Sequence, residues 1–92
     1  MLYLVHMVVD IPSTLAPEEA ARIKAEEKAY SQQLQSAGKW PHLWRVVGEY
    51  ANYSVFDVAN NDELHNTLSN LPLFPFMKIT VTPLAKHPSS IV

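Results

Sequence analysis

The stretch HLWRVVGEYANYSVFDV, His42 to Val58, decides the fold. Val46-Val47 and Val55-Phe56 are strand formers, and Gly48-Glu49 interrupts them as a turn does. The pattern predicts an antiparallel hairpin with strands of about Trp40–Val47 and Tyr50–Val58. Its content is less ordinary. His42, Trp44, Arg45, Tyr50, Asn52, Tyr53 and Ser54 set polar groups among aromatics, the composition of a wall of a small-molecule pocket.

Outward from the hairpin, Leu2–Val9 is almost continuously apolar and broken only by His6, which predicts an interior strand buried on both faces. A helix follows over Pro17–Ala37. Proline suits its first position, Glu18 and Glu19 suit the positive end of its dipole, and Gly38 stops it. Its apolar stripe runs through Ala20, Ile23, Tyr30, Leu34 and Ala37. Helical spacing places Glu27 inside that stripe, with Glu26 and Lys28 outside it. A shorter helix spans Asp62–Asn70, capped by Asn60 or Asn61, with Leu64, Leu68 and Leu71 turned inward. Pro72 and Pro75 bracket a Leu-Phe unit that cannot be helix interior. Phe76–Leu84 alternates as a last strand, and Ala85–Val92 shows no periodicity. The order β-α-β-β-α-β is that of the ferredoxin-like α+β plait, a four-stranded antiparallel sheet with two helices on one face. The fold alone leaves the function open.

Composition narrows the classes. Ninety-two residues, 48% of them hydrophobic, make one domain with a single core, residues 1–92, and exclude a disordered chain. Seven basic against nine acidic residues, with no basic run, argue against a nucleic-acid partner. The apolar runs are too short to span a bilayer, and no stretch reads as a cleaved signal. The absence of cysteine excludes thiol chemistry and fits a cytoplasmic protein. The sheet face away from the helices is too apolar for solvent, so sheet-to-sheet association is expected.

Glu27 is the strongest candidate for chemistry. A carboxylate on an apolar helical face is desolvated, which raises its pKa toward that of a general base at neutral pH. The alternative is a structural ion pair with Arg45 or a lysine. Lys24, three residues earlier, shares that face and offers a cation to Glu27 or to an anionic ligand; the alternative is a solvated surface pair. Arg45, in an apolar strand, is a natural carboxylate anchor, unless Glu49 or Asp57 pairs with it. His42 and His6 are candidate proton carriers or structural strand residues, whereas His65 and His87 face solvent or an interface. The four histidines lack any metal-ligand spacing, and two glycines cannot build a phosphate loop, so neither metal nor nucleotide cofactor is expected. Tyr53 and Ser54 are donors to a carbonyl oxygen, but strand alternation puts them on opposite faces. Trp40, Trp44, Tyr50, Tyr53, Phe56, Phe74 and Phe76 read as core or interface, with a subset lining the pocket.

The segments Lys24-x-x-Glu27-Lys28, His42-Leu-Trp-Arg45, Tyr50-Ala-Asn-Tyr-Ser-Val-Phe-Asp57, Leu71-Pro-Leu-Phe-Pro75 and His87-Pro-Ser-Ser90 together resemble the muconolactone Δ-isomerase family nearly end to end. The resemblance implies a cofactor-free isomerase of the β-ketoadipate route of catechol breakdown. Such an enzyme converts muconolactone, a carboxymethyl butenolide, into the enol-lactone of 3-oxoadipate. It also implies a homodecamer; residues 85–92 are expected to be an interface tail that either reaches a neighbour's active site or locks the assembly. Placed on that reaction, Glu27 is the base, Arg45 or Lys24 holds the acetate carboxylate, and Tyr53 or His42 donates to the lactone oxygen. Trp44 and Ser54 complete the substrate contacts. Rival readings are an isomerase of methyl-substituted muconolactones, a cofactor-independent monooxygenase or haem-degrading enzyme on the same plait, and a non-catalytic oligomeric ligand-binding module.

Overall fold

The computed structural model describes residues 1–92. Its elements are β1 (Leu2–Val9), α1 (Pro17–Ser36), β2 (His42–Arg45), β3 (Ala51–Asp57), α2 (Asn61–Ser69) and β4 (Met77–Leu84), with a one-turn 3-10 helix over Phe74–Phe76 before β4. All pairings are antiparallel, and the sheet order is β2-β3-β1-β4. This is the ferredoxin-like plait that the element order predicts.

Alternation sorts the strands. Tyr3, Val5, Met7 and Val9 of β1 point toward the helices and are buried with Phe56, Leu34, Leu64, Leu68 and Leu71. Leu2, Leu4, His6 and Val8 point the other way. Strand β1 is interior, flanked by β3 and β4, yet it is buried on one face only, because both helices lie on the same side.

The hairpin is shorter than the sequence pattern predicts. Pro41 has no N–H to donate, and the chain leaves the ladder after Arg45. The turn closes through Val46 N–H to Ala51 O at 3.0 Å and Glu49 N–H to Val46 O at 3.3 Å, with Gly48 at φ +81°. A positive φ of this kind is cheap only without a Cβ.

Helix α1 stops one residue earlier than predicted. Ala37 caps it, and Gly38 at φ +76° turns the chain so that Lys39 N–H donates to Leu34 O at 3.0 Å. Asp57 N–H then donates to Lys39 O at 2.9 Å, which ties the helix exit to β3. Helix α2 begins at an Asn60 cap whose side chain accepts from Glu63 N–H at 2.9 Å, while the Glu63 carboxylate accepts from Ala59 N–H at 2.9 Å. A cap of this type contributes about 1 kcal/mol. Residues 85–92 carry no regular structure and are exposed.

Candidate active site

Between α1 and the end of the sheet formed by β2, β3 and the start of β4 lies a cleft of about 480 Å³. Its apolar walls come from Val9, Trp40, Leu43, Ala51, Leu73 and Met77. Into it project Lys24, Glu27, Lys28 and Ser31 from α1, Arg45 from β2, Tyr50 from the turn and Asn52 from β3.

Glu27 is half-buried and forms no ion pair; the charge pairs of the chain are Met1–Asp57, Arg22 with Glu19 and Glu26, and Lys39–Glu63. Its one hydrogen-bond partner is the backbone of Leu73, whose N–H donates to Glu27 Oε1 at 2.9 Å. The two prolines explain that contact. Pro72 cannot donate, and Leu73 precedes the Phe74–Phe76 turn, so its N–H has no helical acceptor and points at the carboxylate. Burial pushes the Glu27 carboxyl above its ordinary range, and the Leu73 hydrogen bond pulls back only in part. The charge on Glu27 in turn raises the Tyr30 phenol, after burial, the larger cause.

The cations around the cleft likewise form no ion pair. Arg45 meets neither Glu49 nor Asp57, since Asp57 lies 3.4 Å from the N-terminal ammonium instead. The Lys24 ammonium sits 5.9 Å from the centroid of the Tyr50 ring, within the range of a cation–π contact. Three cations therefore face one carboxylate in a chain whose net charge is −2, so the positive field is local to the cleft.

The structure thus brings together Glu27, Lys24 and Arg45, and it separates the other sequence candidates from them. His42, Trp44 and Tyr53 stand on the opposite face of the sheet. The cause is the two-residue period of the strands: Arg45 pairs with Asn52 toward the helices, so Trp44 and Tyr53 pair away from them. There Tyr53 stacks on His6 at 4.4 Å and His42 on Trp44 at 5.0 Å. Within one chain these residues do not reach the cleft, which corrects their expected contact with a substrate bound there. Ser54 faces the right way but is fully enclosed, and its hydroxyl donates to Asn52 Oδ1 at 2.7 Å. Its role is to orient Asn52, whose amide N–H groups are left without a protein acceptor.

Sequence reasoning placed Asn52 in the pocket wall and Trp40 among core or interface aromatics, a subset of which lines the pocket, and it passed over Lys28 and Ser31 as cleft residues. Ser31 was accessible to it, four after Glu27 on the helix. Lys28 lies off the stripe and reaches the cleft through its long stem. Trp40 carried no signal beyond its type. It is 3% exposed, stacks on Phe56 at 4.6 Å, and its indole Nε1–H is buried without an acceptor. Such an orphaned donor costs roughly 1–3 kcal/mol.

An apolar-walled cleft with one unpaired carboxylate of raised pKa and several unpaired cations has the chemistry to move a proton on a small anionic molecule. Comparison with known proteins specifies the class. The family model described as muconolactone delta-isomerase matches residues 1–90. The chain is 68% identical to the muconolactone Δ-isomerase of Cupriavidus pinatubonensis, over 99% of both chains. It is 65% identical to muconolactone Δ-isomerase 1 of Acinetobacter lwoffii, over 99% of this chain and 95% of that one. A crystal structure of muconolactone isomerase superposes with a TM-score of 0.95 at 53% identity, covering 100% of this chain and 96% of the other. The chain belongs to the muconolactone delta-isomerase family.

The raised Glu27 pKa has a consequence for stability. A folded-state pKa above the unfolded one means that the protonated form favours folding; that contribution is complete below the ordinary value of 4.5 and is lost as pH rises through the folded value. Glu27→Gln keeps an acceptor for Leu73 and removes the ionisation. It should therefore raise the Tm at neutral pH, with the gain vanishing below pH 4.5, as read by thermal unfolding across a pH series.

Proposed function

We propose that this chain isomerises muconolactone to the enol-lactone of 3-oxoadipate, with Glu27 as the base and Arg45, assisted by Lys24, as the anchor for the acetate arm. The observation that carries the assignment is the Glu27 carboxylate itself: desolvated, without a counter-ion, and held by one backbone N–H in a cleft of unpaired cations. Such a group takes up a proton readily and is oriented before the substrate arrives.

The reaction is a proton shift along a conjugated lactone. Ionised Glu27 removes the ring proton from the carbon that bears the acetate arm, and the electron pair delocalises through the double bond onto the carbonyl oxygen as a dienolate. The protonated carboxyl then returns a proton to the carbon beside the carbonyl, leaving the double bond one position along the ring. Nothing is oxidised or reduced overall, and the enzyme ends as it began. The planar guanidinium of Arg45 suits two parallel hydrogen bonds to the acetate carboxylate. The apolar walls exclude water, which strengthens each of these electrostatic contacts.

In the same reading, residues 1–92 form one domain that works in the cytoplasm as a homodecamer. The outer sheet face supports association, since Leu2, Val8, Trp44, Tyr53 and Leu84 are all exposed on it. The tail 85–92 extends from the body and serves as an interface segment. Light scattering in solution tests the assembly: ten times the 10.4 kDa chain mass is expected, and a monomer would refute it. No helix of the chain is long and apolar enough to cross a membrane.

Incubation with muconolactone, followed by NMR in deuterated water, tests the activity; the absence of double-bond migration would overturn it. Glu27→Gln should lower kcat by roughly 10²–10⁴-fold with the assembly intact, and wild-type turnover would remove Glu27 as the base. In the wild type, kcat/KM should fall on the acid side with a midpoint above the ordinary carboxylate value of 4.5. Arg45→Met should chiefly raise KM, and an unchanged KM would remove it as the anchor.

A further inference from the structure

We infer that the Trp40 indole N–H is the donor that binds the lactone carbonyl oxygen and stabilises the charge that develops on it. The inference rests on the proton-transfer reading above and adds the group that the reading lacks. When a base removes a proton from a conjugated lactone, negative charge collects on the carbonyl oxygen, and the barrier depends on what meets it there. The two donors expected from the sequence, Tyr53 and His42, lie on the far face of the sheet.

Trp40 lines the same cleft as Glu27, and its Nε1–H is the one buried side-chain polar atom in the chain without a partner. An indole nitrogen can only donate. It can therefore meet an oxygen but can neither accept a proton from the substrate nor compete with Glu27 for it. The ring is also held by its packing. Its backbone follows the Gly38 turn, Lys39 next to it is hydrogen-bonded to Leu34 and to Asp57, and its face is stacked on the fully buried Phe56. The N–H is closed to water in the cleft wall, so a substrate oxygen meets it only as that wall shifts to admit the ring of the substrate; once met, a donor in so dry a setting acts strongly on developing charge.

The competing donors are differently placed. The Lys24 and Arg45 side chains are exposed charges suited to a carboxylate, and Asn52, whose amide N–H groups are free, is only half-buried. Trp40 alone is shielded from water and unsatisfied. A substrate oxygen seated on it would relieve the cost of the orphaned N–H, so binding and catalysis draw on the same defect.

Two measurements test the assignment. Trp40→Phe keeps an aromatic ring to stack on Phe56 and deletes the N–H; kcat should fall about 10²-fold, as for loss of one oxyanion donor, with a smaller rise in KM and the acid-side midpoint of the pH profile retained. A purely structural role would instead shift Tm and leave kcat of the folded fraction near wild type, and that result would overturn the proposal. In the ¹⁵N-labelled wild type, the Trp40 indole resonance, identified by its loss in Trp40→Phe, should move downfield with the ring-saturated analogue of muconolactone. Butanoate, which has the carboxylate but no lactone carbonyl, should leave it in place. An indole resonance indifferent to the saturated lactone would sink the donor role even if Trp40→Phe failed to fold. Loss of turnover in Glu27→Gln beside full turnover in Trp40→Phe would reject the donor and spare the base. Full turnover in Glu27→Gln would reject the base, and the indole resonance would then decide the donor on its own.

Discussion

The hydrogen bond from Leu73 N–H to Glu27 Oε1 is the contact on which the rest of the site depends. A carboxylate taken partly out of water needs compensation, and proteins usually supply it with a counter-ion. Here the compensation is one backbone dipole. That choice keeps the pKa of Glu27 raised, because a single N–H offsets desolvation less than a guanidinium would. It also leaves Arg45 and the lysines uncommitted. The Leu-Pro-Leu-Phe-Pro segment, read in isolation as a rigid connector, is what aims that N–H. Pro72 removes one donor, and the Phe74–Phe76 turn leaves the next one pointing out of the chain.

The second constraint is the pleat of the hairpin. Arg45, Asn52 and Leu43 face the helices, and His42, Trp44 and Tyr53 face away, because neighbouring residues in a strand cannot share a face. A segment dense in functional side chains is thereby divided in two. One half furnishes the cleft. The other builds an aromatic row from His6 through Tyr53 to Trp44 on a face that the fold leaves bare. The same seventeen residues thus line the cleft on one side and present an apolar surface on the other.

The placement of Glu27 was legible in advance because helical spacing is a strong rule and a charge inside an apolar stripe breaks it visibly. Arg45 was legible for the same reason in a strand. Ser54 was misjudged, since alternation shows a face but not depth; the residue faces the helices and is sealed beneath Asn52. Trp40 was placed among core or interface aromatics because a tryptophan in a small domain is ordinary core, and only the packing around its ring shows that the indole N–H was left without an acceptor.

By itself the sequence determined the plait, the helix that carries Glu27, the hairpin with its turn at Gly48, and the family. These follow from local periodicities and from the order of short motifs, which do not depend on how distant segments meet. The tertiary structure alone decided which side chains share a cleft, that no cation pairs with Glu27, that Leu73 holds it, and that Trp40 is left unsatisfied. Those facts arise from contacts between residues far apart in the chain, 46 positions apart for Leu73 and Glu27. No local pattern encodes the distance or the water exclusion on which their chemistry rests.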